Sequence, residues 1–310
     1  MELIRGLHNL RARHHGCVLT IGNFDGVHLG HQRILERLRE QAQRRGLPAT
    51  LMLFEPQPAE FFAPEQAPAR LMPLRDKVRA LASAGIDRVL CVRFDASFRA
   101  YSAERFISEL LLEGLGTHFL VVGDDFRFGA GREGDFDLLR RAGEQEGFEV
   151  EDTPTCTLDG ERVSSTRVRE ALADNDLERA AAMLGGPYRI SGRVRHGDEL
   201  GRTLGVPTAN LALRHPRLPI RGVYAVRVHG AGDRPRNAVA NVGRRPTVEG
   251  ERPRLEVHLL DYSGDLYRRH LEVELLHFLR DEQKFDGLDA LREAIHNDID
   301  QARHWFAEQS

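Results

Sequence analysis

Residues 17–31 read CVLTIGNFDGVHLGH. Cys17-Val18-Leu19-Thr20-Ile21 is a continuous apolar run, the pattern of a buried strand. Downstream, Ile34, Leu35 and Leu38 recur at helical spacing, so a helix is expected over roughly 29–45. The junction between them holds Gly22, Gly26 and Gly30 together with Asp25, His28 and His31. Glycines let a backbone turn sharply and approach a ligand without interference from a Cβ. A helix starting near Leu29 aims free N–H groups and its dipole at any anion in the gap. His28 and His31 stand three residues apart, so both belong to the first turn. Imidazoles there can donate to phosphate oxygens and stabilise charge that develops in phosphoryl or nucleotidyl transfer.

Outward from this junction, strand-like and helix-like segments alternate to about residue 184. Strands are expected at 17–21, 50–54, 88–94, 119–123 and near 148–152, with helices at 29–45, 74–84, 103–115 and 135–146. A last helix is expected from Ser165 to about Leu184. Continuous apolar strands separated by amphipathic helices imply a parallel sheet covered on both faces. Gly185-Gly186-Pro187 then reads as a helix stop and linker. Beyond it YRISGRV, GVYAVRVHG, NAVANVG, RLEVHLLD and LEVELLHFL alternate at period two, the signature of an antiparallel barrel or sandwich. LDALREAIHNDIDQARHWF, residues 288–306, closes the chain as one amphipathic helix. Two domains are expected, 1–184 of α/β type and 185–310 mostly β.

The composition excludes several classes. With 310 residues and 41% hydrophobic content, both domains can form proper cores. A net charge of −3 gives no electrostatic case for nucleic acid. No stretch reaches the length of a membrane span, and MELIRGLHNLRARHH lacks the apolar run of a signal peptide. Cys17, Cys91 and Cys156 lie far apart without a CxxC pair, which predicts reduced thiols and a soluble cytoplasmic protein. Protein partners are not indicated.

Taken alone, two histidines could cap a helix or fill a core edge. A zinc pair is the other bland reading, although no third ligand is evident. The full spacing GxFDGxHxGH, directly after a strand, resembles the signature of the HIGH-type nucleotidyltransferase superfamily, whose members attack the α-phosphate of a nucleoside triphosphate. The resemblance assigns Gly22, Asn23, Phe24, Asp25 and Gly30 to nucleotide binding and His28 and His31 to catalysis. Val163-Ser164-Ser165-Thr166-Arg167-Val168-Arg169 is similar to that family's ISSTxxR motif. By themselves Ser164, Ser165 and Thr166 form a routine helix start. With the motif they supply the second half of an ATP site, and Arg169 reaches the triphosphate as a fixed cation. Between the two lies Asp124-Asp125-Phe126-Arg127-Phe128. Asp125, Phe126 and Phe128 can contact a planar substrate, whereas aromatic residues after strands more often close a core. Gly129-Ala130-Gly131-Arg132-Glu133-Gly134 matches GxGxxG literally, which keeps an NAD-binding protein as an alternative. It starts five residues beyond the strand, however, and a dinucleotide fingerprint must open directly off one.

The β-rich half carries its own cluster, GRTLGVPTAN at 201–210. Gly201, Arg202 and Gly205 frame a loop that could wrap phosphates. Thr208 and Asn210 are two apart, so an extended segment presents both oxygens on one side as hard ligands for Mg²⁺. A polar turn would have the same composition. The chain has only two lysines, Lys77 and Lys284, and neither follows a glycine, so no Walker A loop is possible. Kinase HRD and DFG elements are also missing. GRTLGVPTAN does resemble the riboflavin kinase signature. ANVGRRPT, with Asn241, and LRDEQKF, with Arg280, agree with it. On LEVHLL, Leu255, Val257 and Leu259 share one face and Glu256, His258 and Leu260 the other. A solvated strand glutamate is the bland account of Glu256. The resemblance makes it the general base that takes the proton of a primary hydroxyl.

Both halves together are similar to the bacterial bifunctional riboflavin kinase/FAD synthetase family, from about residue 3 to about residue 303. The implied fold is α/β: a Rossmann-like nucleotidyltransferase domain followed by an antiparallel β-barrel kinase domain with a C-terminal helix. The implied chemistry is phosphorylation of riboflavin to FMN by ATP and Mg²⁺, then adenylylation of FMN by ATP to FAD with release of pyrophosphate. Riboflavin, FMN, FAD and ATP are the expected partners. A flavin- or nucleotide-binding regulator without catalysis, or a single-activity adenylyltransferase, is the alternative. Gln57 departs from the histidine common in relatives, and Arg268 from a glycine.

Overall fold

The structure, a computed structural model, describes residues 1–123, 125–196, 205–213, 217–247 and 250–309. It divides into two compact units, Met1–Pro68 with Leu74–Ser164 and Ala69–Pro73 with Ser165–Ser310.

In the first unit six strands form one parallel sheet: β1 Glu2–Arg5, β2 Cys17–Ile21, β3 Ala49–Glu55, β4 Arg88–Arg93, β5 Thr117–Gly123 and β6 Glu149–Thr153. Their order is β1-β4-β3-β2-β5-β6. Every residue of β2 is buried, as its unbroken apolar run requires of a strand covered on both faces. The chain steps outward from β2 through β3 to β4, then returns to pair β5 on the other side of β2. The order therefore reverses at β2, and the crevice beyond the carboxyl ends of β2 and β5 is where such sheets bind ligands. Helix α1, Leu29–Arg45, matches the expected span and buries Leu35, Leu38 and Ala42. It ends where Gly46 adopts the left-handed conformation (φ 64°) and donates back to Ala42 and Gln43.

β1 was not expected. Its short ELIR run has no strong alternation, and pairing with β4 along a sheet edge decides its conformation. The glycine-rich stretch after β5 is a turn. Phe128 and Gly134 pair as a bridge, and a Cβ on Gly134 would lie 2.6 Å from the Phe128 ring. The following helix starts at Phe136 under the cap of Asp135. The literal GxGxxG is thus a folded-back turn that does not join a strand to a helix, and the dinucleotide alternative fails on geometry.

The second unit is a closed antiparallel barrel. After a small hairpin of β7 Thr157–Leu158 and β8 Glu161–Arg162 in the first unit, its strands are β9 Arg189–Arg195, β10 Ala209–Ala212, β11 Gly222–His229, β12 Arg236–Thr247, β13 Gly250–Leu259 and β14 His270–Arg280. They close in the order β10-β13-β12-β11-β14-β9. Barrel, not sandwich, is the outcome. On alternate positions Tyr224, Val226, Val228, Ala238, Ala240, Val242, Leu255, Val257, Leu271 and Val273 are buried. The C-terminal helix Leu288–Glu308 packs Ala302 and Phe306 against Val223, Ala225 and Val239.

The single helix expected over 165–184 is two, Ser165–Ala173 and Leu177–Leu184. Asn175 takes φ 59° and the Asp176 side chain caps the second helix by accepting from the Arg179 N–H. Asparagine tolerates the left-handed region, and its amide has a reason to be there: the buried Tyr224 hydroxyl donates to Asn175 Oδ1. Both helices cluster with the barrel unit.

Candidate functional sites

In the first unit the turn after β2 is built by three residues with positive φ, Phe24 (47°), Gly26 (88°) and Val27 (45°). Phe24 and Asp25 are buried, and a Cβ on Gly22 would approach the Phe24 ring to 3.1 Å. His28 is the N-cap of α1, its Nδ1 accepting from the His31 backbone N–H at 3.4 Å. An Nδ1 that accepts is unprotonated, so a neutral His28 carries its hydrogen on Nε2. The two imidazoles stack with centroids 3.7 Å apart and planes 20° from parallel. Phe24 closes the stack, 4.7 Å from His31. A Cβ on Gly30 would lie 3.2 Å from the His28 ring, so glycine leaves that ring its place. Burial holds the His31 pKa well below its ordinary 6.5, helped by His28 and by the Lys77 ammonium. His31 is therefore neutral near pH 7. Its Nδ1, and Oδ1 of Asn23, are buried without a hydrogen-bond partner.

The other expected residues of this site have local partners of their own. Asp125 is exposed and ion-paired to Arg162 at 2.6 Å. Phe126 and Phe128 stack at 5.7 Å, and Phe128 packs on Phe106 at 5.1 Å inside the core. Phe128 thus closes the core, as aromatic residues after strands usually do. Ser164 belongs to the first unit, while Ser165, Thr166 and Arg169 open a helix of the second. Arg169 Nε donates to the Ala69 carbonyl at 2.6 Å. Lys77 escaped the sequence reading. It is buried and donates to the Asn23 carbonyl at 2.5 Å.

In the second unit antiparallel register places Asn210 of β10 and Asn241 of β12 directly opposite Glu256 of β13, one on each side. Opposite residues share a face, so the three form a row across neighbouring strands. A cavity of about 520 Å³ opens on Glu256 and Asn241 of that row, within the usual range for a small-molecule site. Thr208, Asn241, Glu256, His258 and Arg280 line it from the barrel, and Leu291, Ile295 and Ile299 from the C-terminal helix. The Asn241 amide oxygen is buried with no partner. Glu256 accepts from Arg254 at 2.5 Å, and the His258 ring Nδ1 is 2.9 Å from the Pro207 carbonyl. Arg280 makes a two-point ion pair with Asp298 of the C-terminal helix, both bonds 2.8 Å. Asp298 and Arg254 were not foreseen. Asp298 had a visible signal, because it interrupts the stripe Leu291, Ile295, Ala302, Phe306 on an otherwise apolar helix face. Gly205 is described, in a turn with φ 78°; Gly201 and Arg202 lie outside the described residues.

Among the described residues, no group of three or more His, Cys, Asp or Glu could hold a metal ion, and no helix is long and apolar enough to cross a membrane. A family model for FAD synthetase matches residues 10–167, and one for riboflavin kinase matches residues 184–306. The bifunctional riboflavin kinase/FMN adenylyltransferase of Escherichia coli (strain K12) is 57% identical over 307 residues, covering 99% of this chain and 98% of its own. The enzyme of the same name from Pseudomonas fluorescens is 54% identical over 304 residues, covering 98% and 97%. A crystal structure described as a macrolide-efflux protein from Streptococcus pneumoniae superposes with a TM-score of 0.84 at 29% identity, covering 98% of this chain and all of that one. That likeness extends the fold over the whole chain, and the activity is carried by the sequence relatives. With both family models matched in order and relatives 57% and 54% identical along nearly the full length, the chain belongs to the bacterial bifunctional riboflavin kinase/FMN adenylyltransferase family.

Proposed function

We infer that the chain converts riboflavin to FAD in two ATP-dependent steps, each in its own site. The observation that carries the reading is Glu256 and Asn241 lining the cavity of the barrel unit, with Asn210 opposite Glu256 in the register. Glu256 takes the proton of the riboflavin 5′-hydroxyl as its oxygen attacks the γ-phosphorus of ATP, giving FMN and ADP. Arg254 holds the carboxylate in place until substrate arrives. The apolar wall from the C-terminal helix suits an isoalloxazine ring, and Arg280, fixed by Asp298, presents a directed cation.

The residues present fit Mg²⁺. Thr208 and Asn210 offer hard oxygens on one side of an extended segment, and the unpartnered Asn241 oxygen adds a third in the same row. So small a set matches an ion that takes its remaining ligands from water and substrate phosphates. When bound it would neutralise phosphate charge.

In the first unit an FMN phosphate oxygen attacks the α-phosphorus of a second ATP, and the bond to pyrophosphate breaks. That nucleophile is already ionised, so no base is required. His28, with its hydrogen on Nε2, and the N-terminus of α1 stabilise the charge that develops. Neutral His31 supports His28 by stacking. Asn23 and Asp25 shape the turn, and the motif resemblance assigns Ser164, Ser165, Thr166 and Arg169 to the triphosphate. Division into activities at 1–184 and 185–310 follows this reading, as does a cytoplasmic location, where ATP is abundant and thiols such as Cys17, Cys91 and Cys156 stay reduced.

The test is a chromatographic time course of purified protein with riboflavin, ATP and Mg²⁺. FMN should appear and then convert to FAD, with ADP and pyrophosphate both released. No product from riboflavin or from supplied FMN, even with reduced flavins, would leave a binding protein.

A further inference from the structure

Helix Leu74–Ser83 buries two residues one turn apart, Lys77 and Leu81. Lysine at a core-facing position is physically expensive, because an ammonium loses its hydration there unless it is paired. Lys77 is only 1% exposed, and its Nζ reaches past its own helix to the backbone carbonyl of Asn23 at 2.5 Å. Methionine or leucine would fill the same space without that penalty. That contact ties the ammonium to the chain around Asn23.

What it holds is the turn that ends in His28. Immediately after Asn23, Phe24 and Val27 are in the left-handed region, which is unfavourable for bulky side chains and more so for a β-branched one. An external tether at the Asn23 carbonyl keeps the backbone in this conformation. The same turn and helix start carry two buried polar atoms without partners, Asn23 Oδ1 and His31 Nδ1. Lys77 also lies within Coulombic reach of His31. A cation, a strained turn and two unpaired polar atoms thus share one small volume beyond the end of β2.

We propose that Lys77 is a positioning residue for adenylyl transfer, its ammonium clamping the Asn23 carbonyl and so fixing the turn that sets His28, with His31 stacked on it, against the α-phosphate. The proposal rests on the reading of this unit as the FMN adenylyltransferase. It adds a residue that lies outside the strand–turn–helix motif and acts through that motif's backbone.

The experiment compares Lys77→Met, Lys77→Gln and Lys77→Arg in the full-length protein. FAD formation from supplied FMN and FMN formation from riboflavin are measured on each preparation. Misplacing a catalytic constellation by about an ångström lowers turnover on the order of 10²-fold. Lys77→Met should show such a loss in the kcat of adenylylation, with KM for FMN nearly unchanged and riboflavin phosphorylation retained. Lys77→Gln, which can still donate to the carbonyl, should recover part of the loss, and Lys77→Arg should recover more. Adenylylation by Lys77→Met within about threefold of the parent would overturn the proposal, as would a rise in KM alone. If all three variants lose cooperative unfolding and kinase activity together, Lys77 is a core residue of the fold and the assignment is equally overturned. Parent protein that makes no FAD from FMN would instead sink the reading of the site, a distinct result.

Discussion

His31 is a half-buried imidazole kept neutral, and this has a measurable consequence for stability. Its pKa in the folded chain lies well below the ordinary 6.5, chiefly because burial disfavours the charged form. The unfolded chain therefore takes up a proton first as pH falls. The contribution of the neutral ring is complete above about pH 6.5 and is lost progressively below it. Thermal unfolding followed between pH 7 and pH 5 should show the midpoint falling, and His31→Asn should flatten that dependence. An unchanged slope in the variant would remove His31 from the account. Thiols offer a second residue-scale test. All three cysteines are buried, and burial pushes the Cys17 pKa up to about 11. Thiolate is the reactive form, so the Cys17 thiol should escape titration at pH 8 in native protein and react in denaturant. What single residues revealed in the sequence depended on whether chemistry or packing chose them. The spacing of His28 and His31 was legible because it repeats a known motif. Lys77 was not, because a lysine reads as surface until its helix is seen to point it inward. Phe128 shows the converse, an aromatic side chain that suggested a ligand and fills the core.

Elements were legible wherever the period was strong. The span expected for α1 coincides with Leu29–Arg45, and the unbroken run at 17–21 with β2. The failures have physical reasons. Edge strand β1 is selected by pairing with β4, which no local pattern announces. The break at Asn175 arises where local helical periodicity yields to a tertiary bond from Tyr224. The C-terminal helix was expected, but not its function as one wall of the cavity. That function depends on Asp298, which is almost fully buried and makes a two-point ion pair with Arg280 on β14. Removing one partner of a buried pair leaves the other uncompensated, at about 3–5 kcal/mol. Asp298→Ala should therefore destabilise the barrel unit by that order in urea titrations. Because Arg280 lines the cavity, the same variant should raise the KM for riboflavin. Loss of stability without any change in riboflavin kinetics would confine the pair to a structural role.

At the scale of the whole molecule, the Glu256 row and the stacked histidines are two candidate sites with no residue in common. The barrel row around Glu256 lies within the second unit, and the stacked histidines lie within the first. The chemistry separates along the same line. Phosphorylating a neutral hydroxyl requires a base, whereas joining two phosphates requires positioning and charge stabilisation. Each step can therefore be disabled alone. Glu256→Ala removes the only carboxylate in the row, so FMN formation from riboflavin should fall by at least the 10²–10⁴-fold typical of general-base catalysis. FAD formation from supplied FMN should continue at the parent rate. His28→Ala should do the reverse. It removes the N-cap acceptor and one of the two stacked rings, so FMN should form normally and accumulate. Losing the cap lowers the stability of α1 by about 1 kcal/mol, too little to unfold a unit of this size, so the kinase assay serves as an internal control. Mixing the two variants should restore FAD synthesis from riboflavin if FMN diffuses through solution between sites. No restoration by a mixture of two singly competent proteins would mean that FMN is handed on within one chain. Loss of both activities in either folded variant would show that the two sites are not independent.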